Sequence, residues 1–244
     1  MARIRIFLPA LALLLAGCSG VWVPEKIENR VGELTTRAVL EQMPLHKDPA
    51  WQTYLEKLGG KIAAVSERPA YHYRYYIVES STVNAFAVPD GSVFVTTGLL
   101  KYAGQDPAAL AGVLAHEIGH IARRHGAETL QAKLGYGLIT FIVFGFENSA
   151  AKQAGAMSTQ IMELGYGREM ELEADLCSAR YLVRLGYPPD ASLKFLRILL
   201  PLQKGGEDLA LAKYLRSHPQ TGERISYVES YLAGSLKPPG NMPK

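Results

Sequence analysis

The chain has 244 residues, 48% of them hydrophobic and 20% charged, with a formal charge of +3 and two cysteines. This balance excludes intrinsic disorder, collagen and coiled coil, and the length suits one domain of ordinary size whose core needs no covalent staples. No basic block with interleaved aromatics occurs, so nucleic acid is not an expected partner.

Met1 to Gly17 has the form of an export signal: Arg3 and Arg5 precede an apolar run from Ile6 to Ala16, too short for the roughly 20 residues of a membrane helix. Leu15-Ala16-Gly17-Cys18 looks like a bacterial lipobox, in which Cys18 is lipidated and becomes the first residue of the mature chain. Ser19, rather than Asp, then resembles lipoproteins sorted to the outer membrane, so the expected location is the periplasmic face of that membrane, held by lipid on Cys18. Loss of residues 1–17 removes two of the 26 basic residues and no acidic ones, which leaves 24 against 23 and abolishes the apparent basicity. Cys177 becomes a lone thiol without a disulfide partner and reads as a small core residue.

Residues 18–44 read as the lipidated N-terminus, a tether and a first helix around Glu28 to Gln42. A second helix is expected from about Pro49 to Val65, stopping before Arg68-Pro69. Tyr71 to Glu79, dense in aromatic and β-branched residues, reads as a strand. Asn84 to Val88 and Val93 to Thr97 flank a Pro89-Asp90-Gly91-Ser92 turn and so form a hairpin. The clearest helix follows: Asp106 is a good N-cap, Pro107 suits the first helical position and Gly126 supplies the stop. Leu138 to Phe146, flanked by Gly135 and Gly137, is too short to cross a membrane and reads as a buried helix or strand, the sharper alternative being a flap touching lipid or substrate. Gly167 to Leu185 is a further helix closed by Gly186, with others expected at Asp190 to Gln203, Glu207 to Arg216 and Thr221 to Ala233. The fold class is therefore α+β and predominantly helical, with a small sheet or hairpin, in one domain over 45–235 followed by a tail at 236–244.

His116-Glu117-Ile118-Gly119-His120 is an HExxH motif inside the clearest helix. A spacing of four puts both imidazoles on one helical face, about one turn apart, where both reach one zinc ion. Glu117 lies beside the metal, where a carboxylate takes a proton from the attacking water. A catalytic zinc needs a third protein ligand and one open position. The extended metzincin pattern does not supply it, because Arg123 and Gly126 stand where that pattern has Gly and His. His125, five residues past His120, sits about 140° around a continuous helix and is expected as a solvated residue at the helix end, favoured by the dipole there. In the Glu169-to-Asp175 stretch, Glu171 and Asp175 are four apart and share a face, so the pair offers a ligand and a carboxylate that fixes an imidazole. Glu173 falls about 200° from Glu171, on the other side. Beside such a site, His218 of Ser217-His218-Pro219 and Arg224 are suited to stabilise the oxyanion of a tetrahedral intermediate. His46 and His72 have no comparable company.

The order Asn84-Ala85-Phe86-Ala87, Gly91, Thr97-Gly98-Leu99-Leu100, HEIGH, the Glu171/Asp175 pair and Ser217-His218-Pro219 with Arg224 resembles the HtpX, Oma and CaaX prenyl endopeptidase family of zinc metallopeptidases, peptidase family M48, over about Thr53 to Leu232. It looks most like exported lipoprotein members of that family. The resemblance implies a zincin-like, gluzincin domain with the hairpin beside the HExxH helix and one zinc ion per chain. Its ligands are His116, His120 and Glu171, its general base is Glu117, Asp175 gives support, and His218 and Arg224 face the site. By analogy the hairpin lies along the cleft, so Asn84, Ala85 and Phe86 with Val93, Phe94 and Val95 are expected to bind substrate, the strand Ser92 to Thr96 receiving a peptide by β-augmentation. Leu176-Cys177-Ser178 departs from the glycine found there in many relatives. The expected function is a zinc endopeptidase acting on unfolded or misfolded envelope proteins in quality control. The alternative is a chaperone-like or scaffold lipoprotein in which His218 latches the zinc as fourth ligand, since a closed four-coordinate site cannot activate water.

Overall fold

The computed structural model describes residues 21, 23–132, 165–205, 214, 216–218 and 221–236. The expected export signal, Cys18, the Leu138 to Phe146 segment, most of the expected Glu207 to Arg216 helix and the last eight residues lie outside these. Helix α1 (Glu25–Gln42) begins at Glu25 rather than Glu28, because Pro24 in extended geometry turns its carbonyl onto the amides of Ile27 and Glu28. Helix α2 (Pro49–Ala64) starts at Pro49 as expected, capped by the Asp48 side chain, which accepts from the amides of Ala50 and Trp51.

Three strands follow, β1 (Arg74–Val78), β2 (Ala85–Ala87) and β3 (Ser92–Thr96), in the order β1-β3-β2. The expected hairpin is present: β2 runs antiparallel to β3, with Phe86 opposite Phe94. Its turn needs Gly91 at φ +88°, where an added Cβ would meet the His72 carbonyl. Asp90 in that turn is buried, pairs with Arg74 of β1, and accepts from Thr36 of α1 at 3.1 Å.

The parallel pairing of β1 with β3, Tyr76 opposite Phe94, makes β3 the central strand. All five of its residues are buried because both sheet faces are covered. On one face Tyr76, Phe94 and Phe86 stack with ring centroids 4.9 Å apart, and Val39 of α1 packs on them. On the other, Val93 and Val95 join the main core with Leu55 of α2 and Leu110 and Leu114. This corrects the expected substrate strand: β3 has partners on both edges, so no peptide can add to Val93, Phe94 or Val95; β1's outer edge is met by Leu45 and His46, and among the described residues β2 pairs only with β3.

After α3 (Thr97–Ala103), helix α4 (Pro107–Ala122) is capped by Asp106 as expected. It ends at Ala122, not at Gly126. Arg124 adopts φ 60°, and a second helical stretch, 125–132, leaves in a new direction. The corner is held by the Arg124 guanidinium, which donates to Glu28 Oε2 and to the Val23 carbonyl. Helix α5 (Arg168–Arg184), a 3₁₀ turn (Ala191–Leu193), α6 (Lys194–Gly205) and α7 (Thr221–Leu232) complete the described chain.

The backbones of α4 and α5 approach closely. An added Cβ at Gly119 would stand 3.0 Å from Cys177 Cβ and 3.2 Å from the Ala174 carbonyl, and Ser178 Oγ donates to the Gly112 carbonyl at 3.0 Å. Cys177 is a fully buried part of this contact, its thiol pushed up to about 12 by burial. Gly119→Val is therefore expected to wedge the helices apart, at a cost of about 1–3 kcal/mol in urea denaturation of the metal-free protein. Parental stability in that variant would contradict the close approach.

Candidate active site

The α4–α5 contact brings the motif residues together. His116 and His120, one turn apart on α4 and both buried, have their Nε2 atoms 3.0 Å from each other. Glu171, in the first turn of α5, sets Oε2 3.5 Å from His116 Nε2 and Oε1 3.3 Å from His120 Nε2. These separations, the two to Glu171 made by its different oxygens, are close to the roughly 3.3 Å between ligand atoms around a tetrahedral ion with bonds of about 2.0–2.1 Å. His218 adds Nδ1 at 3.0 Å from Glu171 Oε1, and one ligand atom from each of the four residues lies within 4.8 Å of the others.

Glu117 is fully buried, with Oε1 3.8 Å from His218 Nε2, and neither carboxylate oxygen has a hydrogen-bond partner among the described residues. Burial pushes its carboxyl above the ordinary value despite the His218 and His116 charges. An orphaned buried carboxylate is costly unless a polar group reaches it. A cation with water beside it is such a group, so the residues present fit a metal centre.

Asp175, one turn along α5, holds His116 Nδ1 at 2.9 Å and itself accepts from Arg224 Nε and Nη2, both at 2.7 Å. Arg224 Nη1 lies 3.0 Å from Glu171 Oε2, and the whole side chain is buried. Arg224 thus lies at the site, its Nε and Nη2 taken by Asp175 and its Nη1 facing the carboxylate of Glu171. Burial alone raises Glu171, but the His218 and Arg224 charges and the bond to His116 hold it well below the usual carboxylate range.

Two further expectations change. His125 is buried rather than solvated, and its Nδ1 lies 2.8 Å from His120 Nδ1. Glu173, although off the Glu171 face, reaches His125 Nε2 at 3.1 Å and pairs with Arg123. Tyr166, which no motif marked, stacks on the His120 ring at 3.8 Å, and Tyr214 leans on His218. His46 pairs with Glu79, away from the centre, and His72 is exposed. Of the expected substrate residues, Asn84 and Ala85 are buried, whereas Phe86 lines an apolar pocket with Ala87, Val88, Leu130, Tyr166 and His218.

A mainly helical α+β body whose HExxH helix meets a third-ligand carboxylate from a second helix defines the class as metallopeptidase. The chain belongs to peptidase family M48, which it matches over residues 49–232. It is similar to the mitochondrial metalloendopeptidase OMA1 of Arabidopsis thaliana, 32% identical over 72% of this chain and 35% of that protein. It is also similar to the beta-barrel assembly-enhancing proteases of Yersinia pestis, 28% identical over 97% of this chain and 50% of that protein, and of Escherichia coli, 27% identical over 71% and 37%. The chain thus spans between about a third and a half of the length of these relatives.

The electrostatics set a pH dependence. Burial and the Arg224 charge push the His116 imidazole down, but Asp175 and Glu171 more than offset them and hold it up at about 9. At pH 7 the metal-free site therefore carries a proton on His116 that an incoming cation must displace. Metal affinity is expected to rise at least about tenfold per pH unit between pH 6 and 8, with proton release visible by calorimetry in buffers of different ionisation enthalpy. A flat affinity over that range would contradict this charge balance.

Proposed function

We propose that the chain is a zinc-dependent endopeptidase of zincin-like fold, lipid-anchored through Cys18 at the periplasmic face of the outer membrane, which cleaves unfolded or damaged envelope proteins. The observation that carries the enzymatic reading is the convergence of His116, His120 and Glu171 beside the unpartnered carboxylate of Glu117. Zinc, when bound by those three ligands, supplies Lewis acidity to the scissile carbonyl and to the attacking water.

The chain's own residues do the rest. Glu117, kept high in pKa by burial, takes the proton of the water as it attacks and returns it to the leaving amine. His218, within reach of both Glu117 and Glu171, is placed to donate to the oxyanion that develops on the carbonyl. Asp175 fixes His116 in the tautomer that offers Nε2, and Arg224 neutralises the carboxylates without touching substrate. An extended peptide adds to the edge of β2, its apolar side chain entering the pocket beside Phe86 and His218. That binding mode suits unfolded segments, and the relatives named for β-barrel assembly support an envelope role.

The second reading, a latched or non-catalytic zinc lipoprotein, is favoured by the position of His218 within the ligand cluster, where it can close the fourth site. Casein cleavage separates the two. Glu117→Gln is expected to keep full zinc occupancy and to lose about 10²–10⁴-fold in cleavage rate. Zinc in both proteins with no cleavage by either points to the latched form. The anchor has its own check: labelled palmitate is expected in the parent chain and not in Cys18→Ser, and label in both would refute Cys18 as the site.

A further inference from the structure

A histidine that binds metal through one nitrogen is held in its tautomer and orientation by whatever meets the other. For His116 that partner is the Asp175 carboxylate. Among the described residues His120 has no carboxylate at its Nδ1; it has the Nδ1 of His125, at 2.8 Å. Two imidazole nitrogens at that distance bond only if one carries hydrogen and the other does not. His120 Nε2 faces the ligand cluster and must offer a lone pair there, so its proton sits on Nδ1 and is donated to His125 Nδ1. His125 then keeps its own proton on Nε2, 3.1 Å from Glu173 Oε2, which accepts it. Arg123 holds Glu173 from the far side. With His120 as ligand, this one assignment satisfies both contacts of His125.

The backbone is shaped for this contact. A continuous α4 would carry His125 about 140° away from the metal face. Instead the chain leaves the helix through Arg124 at φ 60°, a conformation uncommon outside glycine and one that persists where neighbours enforce it. The neighbours here are Glu28 and the Val23 carbonyl, which hold the Arg124 guanidinium. The result buries a polar ring, 1% exposed, directly behind a metal ligand.

We propose that His125 and Glu173 form a relay that positions His120 for metal binding, the two-step counterpart of Asp175 behind His116. The relay rests on the zinc reading above. His125 and Glu173 touch neither substrate nor metal; they are positioning residues, and their effect is on affinity.

The test uses the full-length chain in detergent, with zinc affinity measured by competition against a chromophoric chelator and cobalt as a spectroscopic substitute. His125→Ala is expected to weaken zinc binding about 10–100-fold and to alter the cobalt ligand-field bands. His125→Asn, whose Oδ1 can stand where Nδ1 stood and accept from His120, is expected to recover most of the affinity and the parental spectrum. Glu173→Gln is expected to weaken binding less than His125→Ala, and the double variant to add nothing to the single, because both act through one chain of bonds. If His125→Ala does not fold, judged by thermal unfolding of the metal-free protein, His125→Phe keeps the ring and removes both nitrogens, and the same loss is expected. Parental affinity and spectrum in folded His125→Ala or His125→Phe overturn the relay alone. Failure of the parent chain to take up zinc overturns the zinc reading, and the relay with it.

Discussion

Three carboxylates and one guanidinium, all buried, face two metal-ligand imidazoles at the α4–α5 contact, and the rest of the site follows from balancing that charge. Glu117, Glu171 and Asp175 together carry three negative charges if ionised, and Arg224 returns one positive charge. With both imidazoles neutral, two charges are left over, which a divalent cation cancels. Without the cation the site turns to protons: His116 is held up at about 9 and Glu117 is driven above its ordinary value. Buried charge without compensation costs several kcal/mol per ion, so a cation and protons compete for the same place.

Helix spacing alone could not deliver this balance; it needs backbones close enough for short side chains to meet. Gly112 and Gly119 on α4 let the Ala191–Leu193 turn and α5 come within contact of the α4 backbone, and Ala174 and Cys177 occupy the facing positions on α5. Cys177 lies in this seam, its Cβ beside Gly119. Arg224 then arrives from α7 to close the back of the site, so a helix distant in sequence is as necessary to the metal ligands as the motif itself.

Much of this was legible in the sequence because it depends on local periodicity and capping. Asp106-Pro107 starts its helix where cap chemistry places it, and the four-residue spacings of His116/His120 and Glu171/Asp175 put each pair on one face. What was not legible depends on departures from periodicity or on pairings far apart in sequence. No residue type announces a left-handed Arg124, and extending α4 to Gly126 turned His125 outward when it is in fact buried against His120. The hairpin was readable from its Pro-Asp-Gly turn, but the parallel β1–β3 pairing was not, and it makes β3 the central strand with β2 at an edge. Arg224 was rightly placed near the site by its motif, yet spacing says nothing of which oxygens a guanidinium already holds.

The match to the peptidase family begins at residue 49, after α1 has ended, yet α1 reaches both working parts of the site. Its Glu28, 2% exposed and raised in pKa by burial in spite of Arg124, grips the corner that aims His125 at His120. About two turns further along, Thr36 binds Asp90 in the turn that presents β2, and Val39 packs on the aromatic stack that includes Phe86. A carboxylate is buried this deeply only where its partner is fixed, and here the partner is the strained residue of the corner itself. The first helix therefore belongs to the catalytic body in the physical sense: it holds the corner behind His120 through Arg124 and the β2–β3 hairpin through Asp90, from one rigid rod.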